Sequence, residues 1–161
     1  MAAIDTVVFD LGGVLVDWNP AYLYRKIFDS EAEMNWFLEN ITTGDWNEAQ
    51  DGGRSLQEAT ELLVSQFPEH ENNIRAYYDR WEEMLGGPIH ETVEILKELK
   101  QIPGFRTYAL TNWSGETFPI ALQRFEFLHW FDGRLVSGDE KTRKPFPDIY
   151  QKLIDRFGIN P

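Results

Sequence analysis

Polar residues follow three short apolar segments of the sequence, and their side chains could together carry out nucleophilic hydrolysis. Asp10 ends the run VVF, Thr111 and Asn112 follow FRTYAL, and Lys144 lies a few residues beyond RLVS. A carboxylate can attack phosphorus or carbon, a hydroxyl and an amide can bind an anionic group, and an ammonium can neutralise its charge. These residue types predict a site for a small anionic substrate if the fold brings them together.

The three apolar segments are predicted to be strands of a parallel sheet. They cover residues 5–9, 105–111 and 134–137. Helices are predicted between and after them, one opened by Pro88 and a last one over residues 147–158. Strands that alternate with helices form parallel sheets, and ligands gather at the carboxyl ends of such strands. We therefore predict an α/β fold in which the polar side chains share one edge of the sheet.

A helical segment separates the first two predicted strands. Capping-box spacing at Ser30 with Glu33, and at Ser55 with Glu58, predicts two helix starts, and apolar residues at helical spacing follow each. No strand is predicted between residues 17 and 85. The simplest interpretation is an insertion that folds as a lid over the strand ends.

Composition argues against several classes of protein. The 161 residues include 27 acidic and 15 basic side chains, and the formal charge of −12 makes a nucleic-acid partner improbable because such binding depends on basic residues. Without cysteine the chain has neither disulfides nor a thiolate zinc site. The apolar runs are far shorter than the ~20 residues that cross a bilayer, so we expect a soluble, cytoplasmic protein with no membrane partner.

With these motifs in this order, the sequence resembles the haloacid dehalogenase-like (HAD) hydrolase superfamily. The resemblance rests on FDLGGVL, YALTNWS and RKPFPDIY, on the insertion between the first two, and covers essentially the whole chain. The inserted stretch GDWNEAQDGGRSLQEA is similar to that of the small sugar-phosphate phosphatases and dehalogenase-like members. The resemblance implies a Rossmann-like core formed by residues 1–16 and 87–161, with residues 17–86 as a helical cap.

The resemblance also implies a role for each motif residue. Asp10 would be the nucleophile that forms an aspartyl-phosphate, with Thr111 and Lys144 as its catalytic partners. Mg²⁺ would be held by the Asp10 carboxylate and by the backbone carbonyl of Gly12. The substrate-binding positions would be Asn112, Gly12, Gly13 and Trp113.

Two features depart from the superfamily's usual pattern. Most of its phosphatases carry a second Asp two residues after the nucleophile, which protonates the leaving group and later activates water, and here that position is Gly12. Loss of such a group costs about 10²–10⁴ in rate unless a water or a cap residue substitutes. The acidic pair that completes the magnesium site would follow Pro161. We therefore expect the strand carrying it to come from a carboxyl-terminal segment or a second chain, and to cover the edge of the first strand.

Three functions are open at this point. The first is a magnesium-dependent phosphatase that acts on a small phosphorylated metabolite. The second is a 2-haloacid dehalogenase in which Asp10 attacks carbon, although such enzymes usually carry Tyr where this chain has Gly12. The third is a non-catalytic scaffold or binding module. Neither the substrate nor the oligomeric state follows from the sequence.

Overall fold

The computed structural model describes residues 4–161, in which short strands alternate with helices. The strands are β1 (Thr6–Phe9), β2 (Val16–Trp18), β3 (Leu85–Pro88), β4 (Arg106–Thr111) and β5 (Gly133–Val136). The α-helices are α1 (Ala21–Tyr24), α2 (Glu31–Asn40), α3 (Gly44–Asp51), α4 (Leu56–Gln66), α5 (Glu71–Asp79), α6 (His90–Leu99), α7 (Phe118–Arg124), α8 (Ser137–Glu140) and α9 (Pro147–Phe157). Short 3₁₀ helices cover Pro68–His70, Trp81–Met84 and Glu126–His129. No helix in this range is long and apolar enough to cross a membrane.

A parallel sheet in the order β1-β4-β5 forms the base of the fold and confirms the predicted α/β class. Val8 of β1 pairs with Tyr108 of β4, and Ala109 of β4 pairs with Arg134 of β5. Since all three strands run the same way, their carboxyl ends meet at one edge. Within the described residues β1 is an outer strand of this sheet, and Val8 is 40% exposed.

Apolar side chains cover both faces of this sheet. Leu110 and Leu135 pack with Ile149 and Leu153 of α9 in a small cluster on one face. A much larger cluster takes in the opposite side chains of the sheet together with buried residues of the inserted segment, among them Phe9, Leu11, Tyr24, Phe37, Ile74, Tyr77, Trp81 and Ala109. The inserted helices therefore share one continuous apolar core with β1 and β4.

Local sequence signals explain where several helices begin and end. Ser30 and Ser55 accept hydrogen bonds from the backbone N–H groups of Glu33 and Glu58, which confirms the predicted caps of α2 and α4. At the other end of the chain, α9 stops at Gly158, which has the left-handed φ of +60° that ends many helices. These helix boundaries follow from short-range chemistry alone.

The prediction that no strand lies between residues 17 and 85 is wrong. β2 and β3 form a two-stranded antiparallel sheet, in which Asp17 pairs with Gly87. Pro88, predicted to open a helix, instead ends β3, and α6 begins at His90. The segment LGGP has almost no intrinsic strand propensity. It forms a strand because the folded chain brings it beside β2, which a local reading of the sequence could not detect.

Candidate active site

Asp10 directly follows β1 and begins a tight turn. The carbonyl of Leu11 accepts hydrogen bonds from the N–H groups of Val14, Leu15 and Val16 at 3.1, 2.8 and 3.0 Å. The N–H of Leu11 donates to Oδ1 of Asp10 at 2.8 Å. These bonds fix the backbone immediately after the carboxylate, which stays at the edge of the sheet with 47% of its side chain exposed.

Lys144 lies in the loop between α8 and α9, and its ammonium reaches Asp10. Its Nζ is 2.8 Å from Oδ2 of Asp10 and donates to the carbonyl of Leu110 at 3.0 Å. The side chain is 20% exposed, against 47% for its partner. An ammonium held between a strand carbonyl and an accessible carboxylate leaves one N–H for a further acceptor. The structure thus brings together two of the predicted catalytic residues.

Asn112 holds the Lys144 loop in place. Its Oδ1 accepts from the backbone N–H of Lys144 at 2.8 Å, and its Nδ2 donates to the carbonyl of the same residue at 3.0 Å. The sequence predicted Asn112 as a substrate ligand. The structure shows that its side-chain amide already makes two hydrogen bonds to backbone, so the side chain positions Lys144.

Thr111 ends β4 with a buried hydroxyl that has no hydrogen-bond partner among the described residues. The residue is 1% exposed, and its Oγ1 is one of the few buried side-chain polar atoms left unpaired there. An unpaired buried hydroxyl costs about 1–3 kcal/mol, so most such groups in native structures have a partner or a functional reason. The Thr111 hydroxyl can bind an oxygen atom that the chain itself does not supply.

A cavity lies next to these residues, between the edge of the sheet and the inserted helices. It offers about 80 Å³ to water-sized molecules. From the sheet side it is lined by Gly12, Asn112, Trp113, Ser114 and Thr117. From the inserted segment it is lined by Trp18, Asn47, Asp51, Tyr78 and Trp81. Of the predicted site residues, Gly12, Asn112 and Trp113 border this space, whereas Asp10, Thr111, Lys144 and Gly13 are not part of its lining.

Trp113 forms a rigid wall of the cavity. It is 6% exposed, its Nε1 donates to Oγ1 of Thr117 at 3.1 Å, and its backbone N–H donates to Oγ of Ser137 at 2.9 Å. Its ring lies 5.8 Å from that of Trp81, across the boundary between the core and the insertion. With its indole N–H already bonded, Trp113 offers a substrate its ring surface and little else.

Of the two glycines in the turn after Asp10, only one is at a position where the backbone requires glycine. Gly13 has a φ of +74°, which side chains rarely adopt, and its N–H donates to the carbonyl of Val16 at 2.9 Å. A Cβ at Gly12 would meet nothing within 4 Å. Gly13 therefore makes the turn, while nothing in the surrounding structure excludes a side chain at Gly12.

Asp51 is a cavity residue that the sequence interpretation did not identify. It is the last residue of α3, where the helix dipole disfavours a negative charge. Burial, reinforced by the nearby charge of Glu48, raises the pKa of its carboxyl to about 7, against opposing effects of Arg143 and the backbone N–H of Ser114. An acid at the carboxyl end of a helix was the signal available in the sequence.

Two oxygen groups at this edge suit a hard cation such as Mg²⁺. The Asp10 carboxylate is accessible, and the carbonyl of Gly12 accepts no hydrogen bond from the described residues. The same residues contain no cluster of three His, Asp or Glu side chains that would form a closed metal site. Mg²⁺ is commonly held by one or two carboxylates together with waters and phosphate oxygens, so the residues present fit an open site of this kind.

Comparison with known proteins identifies relatives of this chain. The sesquiterpene phosphatase astK of Aspergillus oryzae is 26% identical over 150 residues, which are 93% of this chain and 72% of the relative. A phosphorylated carbohydrates phosphatase of Thermotoga maritima is 25% identical over an alignment of 165 positions that covers 98% of this chain and 73% of the relative.

A solved HAD family enzyme of Bacteroides thetaiotaomicron, in complex with magnesium and inorganic phosphate, superimposes with a TM-score of 0.67. Its identity is 18%, over 99% of this chain and 81% of that one, so the likeness concerns the fold. The family model of the haloacid dehalogenase-like hydrolases matches residues 4–161. This match covers the parallel sheet, the Asp10 turn and the inserted helices together, and the chain belongs to that hydrolase family.

Proposed function

We infer that this protein is a phosphatase that transfers the phosphoryl group of a small phosphate monoester to Asp10 and then to water. The observation that carries this inference is the pair formed by Asp10 and Lys144, with Nζ 2.8 Å from Oδ2, at the carboxyl edge of a parallel sheet. A partly exposed carboxylate can act as the nucleophile, and the adjoining ammonium can bind the anionic group under attack.

The relatives support phosphate as the anion. Two of them are named as phosphatases, and the solved HAD family enzyme from Bacteroides thetaiotaomicron binds magnesium and inorganic phosphate. The cavity beside Asp10 is small, about 80 Å³ for water-sized molecules, which favours a compact leaving group. The substrate class that fits best is therefore a small phosphorylated metabolite.

The proposed reaction has two steps that both use Asp10. A carboxylate oxygen of Asp10 forms a bond to phosphorus while the bond from phosphorus to the leaving oxygen breaks. This gives an aspartyl-phosphate and, as the leaving oxygen takes up a proton from an acid in the site or from water, an alcohol. Water then attacks the same phosphorus and releases phosphate and the free carboxylate. Throughout, the Lys144 ammonium neutralises charge on the phosphoryl oxygens, and the unpaired Thr111 hydroxyl donates a hydrogen bond to one of them.

A magnesium ion would add charge neutralisation at the same oxygens, held by the Asp10 carboxylate and the Gly12 carbonyl. Asn112 supports the arrangement indirectly, because its amide fixes the backbone of Lys144. Residues 17–86 serve as the cap. Their aromatic side chains Trp18, Tyr78 and Trp81 form the outer wall of the cavity, where they contact the leaving group and exclude bulk water.

The direct test is to capture the covalent intermediate. The protein is mixed with a panel of small phosphate monoesters in the presence of Mg²⁺, and phosphate release is measured alongside the intact mass of acid-quenched samples. We expect release in the wild type, a quenched species heavier by one phosphoryl group on Asp10, and neither in Asp10→Asn. The Asp17→Asn variant is the matched control, since Asp17 accepts a hydrogen bond from the Tyr22 hydroxyl and is not part of the cavity lining.

The alternatives give different results in the same assays. Release of halide from a 2-haloacid in the presence of a chelator, without phosphate release, would replace the phosphatase by a dehalogenase. Binding of phosphate esters without turnover, unchanged in Asp10→Asn, would identify a non-catalytic binding module.

A further inference from the structure

Asp51 lines the cavity from the side of the inserted helices. Gly12 and Asn112 line it from the side of the sheet. In an in-line displacement the leaving group departs on the side of the phosphorus opposite the nucleophile. The cavity that adjoins the Asp10 turn is the space available for that group, and Asp51 is the carboxylic acid in its lining.

Asp51 is a partly buried acid without an ion-pair partner in the part of the chain that the structure describes, and the group that favours its charged form at short range is the backbone N–H of Ser114. Among the described residues no Lys or Arg lies within ion-pair distance of it, and the nearby Arg143 pairs with Glu48 at 2.9 Å. Buried acids in proteins are normally paired with a cation or bind a metal. A carboxyl group with neither, placed in a cavity, suits a role in which it exchanges a proton.

The absence of a side chain at Gly12 leaves the proton-transfer role open for another group. This position, which carries the proton-transferring Asp in most phosphatases that the sequence resembles, has no side chain here. Protonation of the leaving oxygen must therefore come from another group or from water. We propose that Asp51 is the general acid and base of the proposed phosphatase reaction, acting on the leaving group from the cap side of the cavity. This inference rests on the proposed function.

The proton balance of the two steps is complete with Asp51 alone. In the first step the Asp51 carboxylic acid gives its proton to the leaving oxygen as the bond to phosphorus breaks, so an alcohol leaves and a carboxylate remains. In the second step that carboxylate takes a proton from the attacking water. Phosphate is released, the Asp10 carboxylate is restored, and Asp51 is again an acid.

The groups around Asp51 set the pKa of its carboxyl close to neutral pH, where the group can both give and take a proton. Glu48, one turn earlier on α3, raises the pKa of Asp51, and Arg143, from the loop before α9, lowers it. From α5 the facing groups are Tyr77 and Tyr78, and burial raises the pKa of both hydroxyls so that they stay neutral. The net result is a pKa of about 7, with burial as its largest cause.

The test compares leaving groups that need a proton with one that does not. Phenyl phosphate has a poor leaving group, whereas 4-nitrophenyl phosphate releases a stable anion without protonation. Release of the phenol is followed in the first turnover, with Mg²⁺ present. For Asp51→Asn we expect about 100-fold or more slower release from phenyl phosphate and less than about 5-fold slower release from 4-nitrophenyl phosphate. Asp45→Asn, an exposed acid on the same helix, is the control and is expected to match the wild type.

The pH profile supplies the second readout. In the wild type, first-turnover release from phenyl phosphate should fall above about pH 7 as Asp51 loses its proton, and Asp51→Asn should lack this dependence. Equal losses on both substrates, or an unchanged profile in the variant, would show that Asp51 only holds the cap and would overturn the inference. Failure of the wild type on both substrates would instead overturn the proposed function and, with it, this role of Asp51.

Discussion

Replacing Asp51 by Asn should make the folded protein more stable at alkaline pH. The pKa of the Asp51 carboxyl rises from its ordinary 3.8 to about 7 in the folded chain. Between these values the native carboxyl keeps a proton that the unfolded chain has lost, so the native state binds more protons. The free energy of unfolding of the wild type therefore falls as pH rises through this window, and an Asn amide removes that fall.

The size of the effect follows from the width of the window. Each pKa unit corresponds to about 1.4 kcal/mol. The pKa rise from 3.8 to about 7 therefore lowers the free energy of unfolding of the wild type relative to that of Asp51→Asn. This lowering is about 4 kcal/mol larger above pH 7 than at pH 4. Across the window the difference between the two proteins should grow by about 1.4 kcal/mol per pH unit and then level off.

Urea unfolding of wild type and Asp51→Asn at a series of pH values from about 4 to 9 measures this difference, because the titrating groups that do not interact with Asp51 contribute equally to both proteins. Asp45→Asn, on the same helix but exposed, should show a nearly constant difference from the wild type. A difference between wild type and Asp51→Asn that stays constant over the whole range would refute the reasoning. It would mean that the carboxyl group of Asp51 ionises normally in the folded protein.

Two further predictions concern the sheet edge and the turn after Asp10. Thr111→Val removes a buried hydroxyl that has no partner among the described residues, so the free energy of unfolding in urea should be unchanged or rise by about 1 kcal/mol. The same change should lower kcat/KM for phosphate monoesters about 10-fold. A clear loss of stability would contradict this prediction. Gly12→Ala should raise stability by about 0.4–1 kcal/mol, whereas Gly13→Ala, with its φ of +74°, should lower it by about 1–2 kcal/mol; equal effects of the two changes would be inconsistent with the turn.

The parallel sheet could be predicted because its signals are local. Each strand is a short apolar run, and the alternation with helices is visible in the order of the segments alone. The prediction that Asp10 and Thr111 share one edge of the sheet needs only that alternation, and β1 and β4 pair in parallel in the structure. The position of Lys144 was indicated by its motif, and its 2.8 Å distance to Asp10 depends on the loop that Asn112 holds.

The pairing of β2 with β3 could not be predicted because it depends on contacts between distant parts of the chain. The residues Leu85–Pro88 contain two glycines and a proline, which argue against a strand by every local rule. They pair with Val16–Trp18, from which the inserted helices separate them in the sequence. The side-chain role of Asn112 was missed for the same reason, since its partner lies in a loop that follows another strand.

Asp51 shows how a departure from local rules points to a site. The carboxyl group ends a helix where negative charge is unfavourable, it is partly buried near Glu48, and it has no ion-pair partner among the described residues. Across the same cavity, Gly12 lacks a side chain although the structure has room for one. Such inconsistencies in native proteins concentrate at functional sites. Here Asp51 and Gly12 line the same cavity. If Asp51 takes the proton-transfer role that Gly12 cannot fill, both features have one explanation.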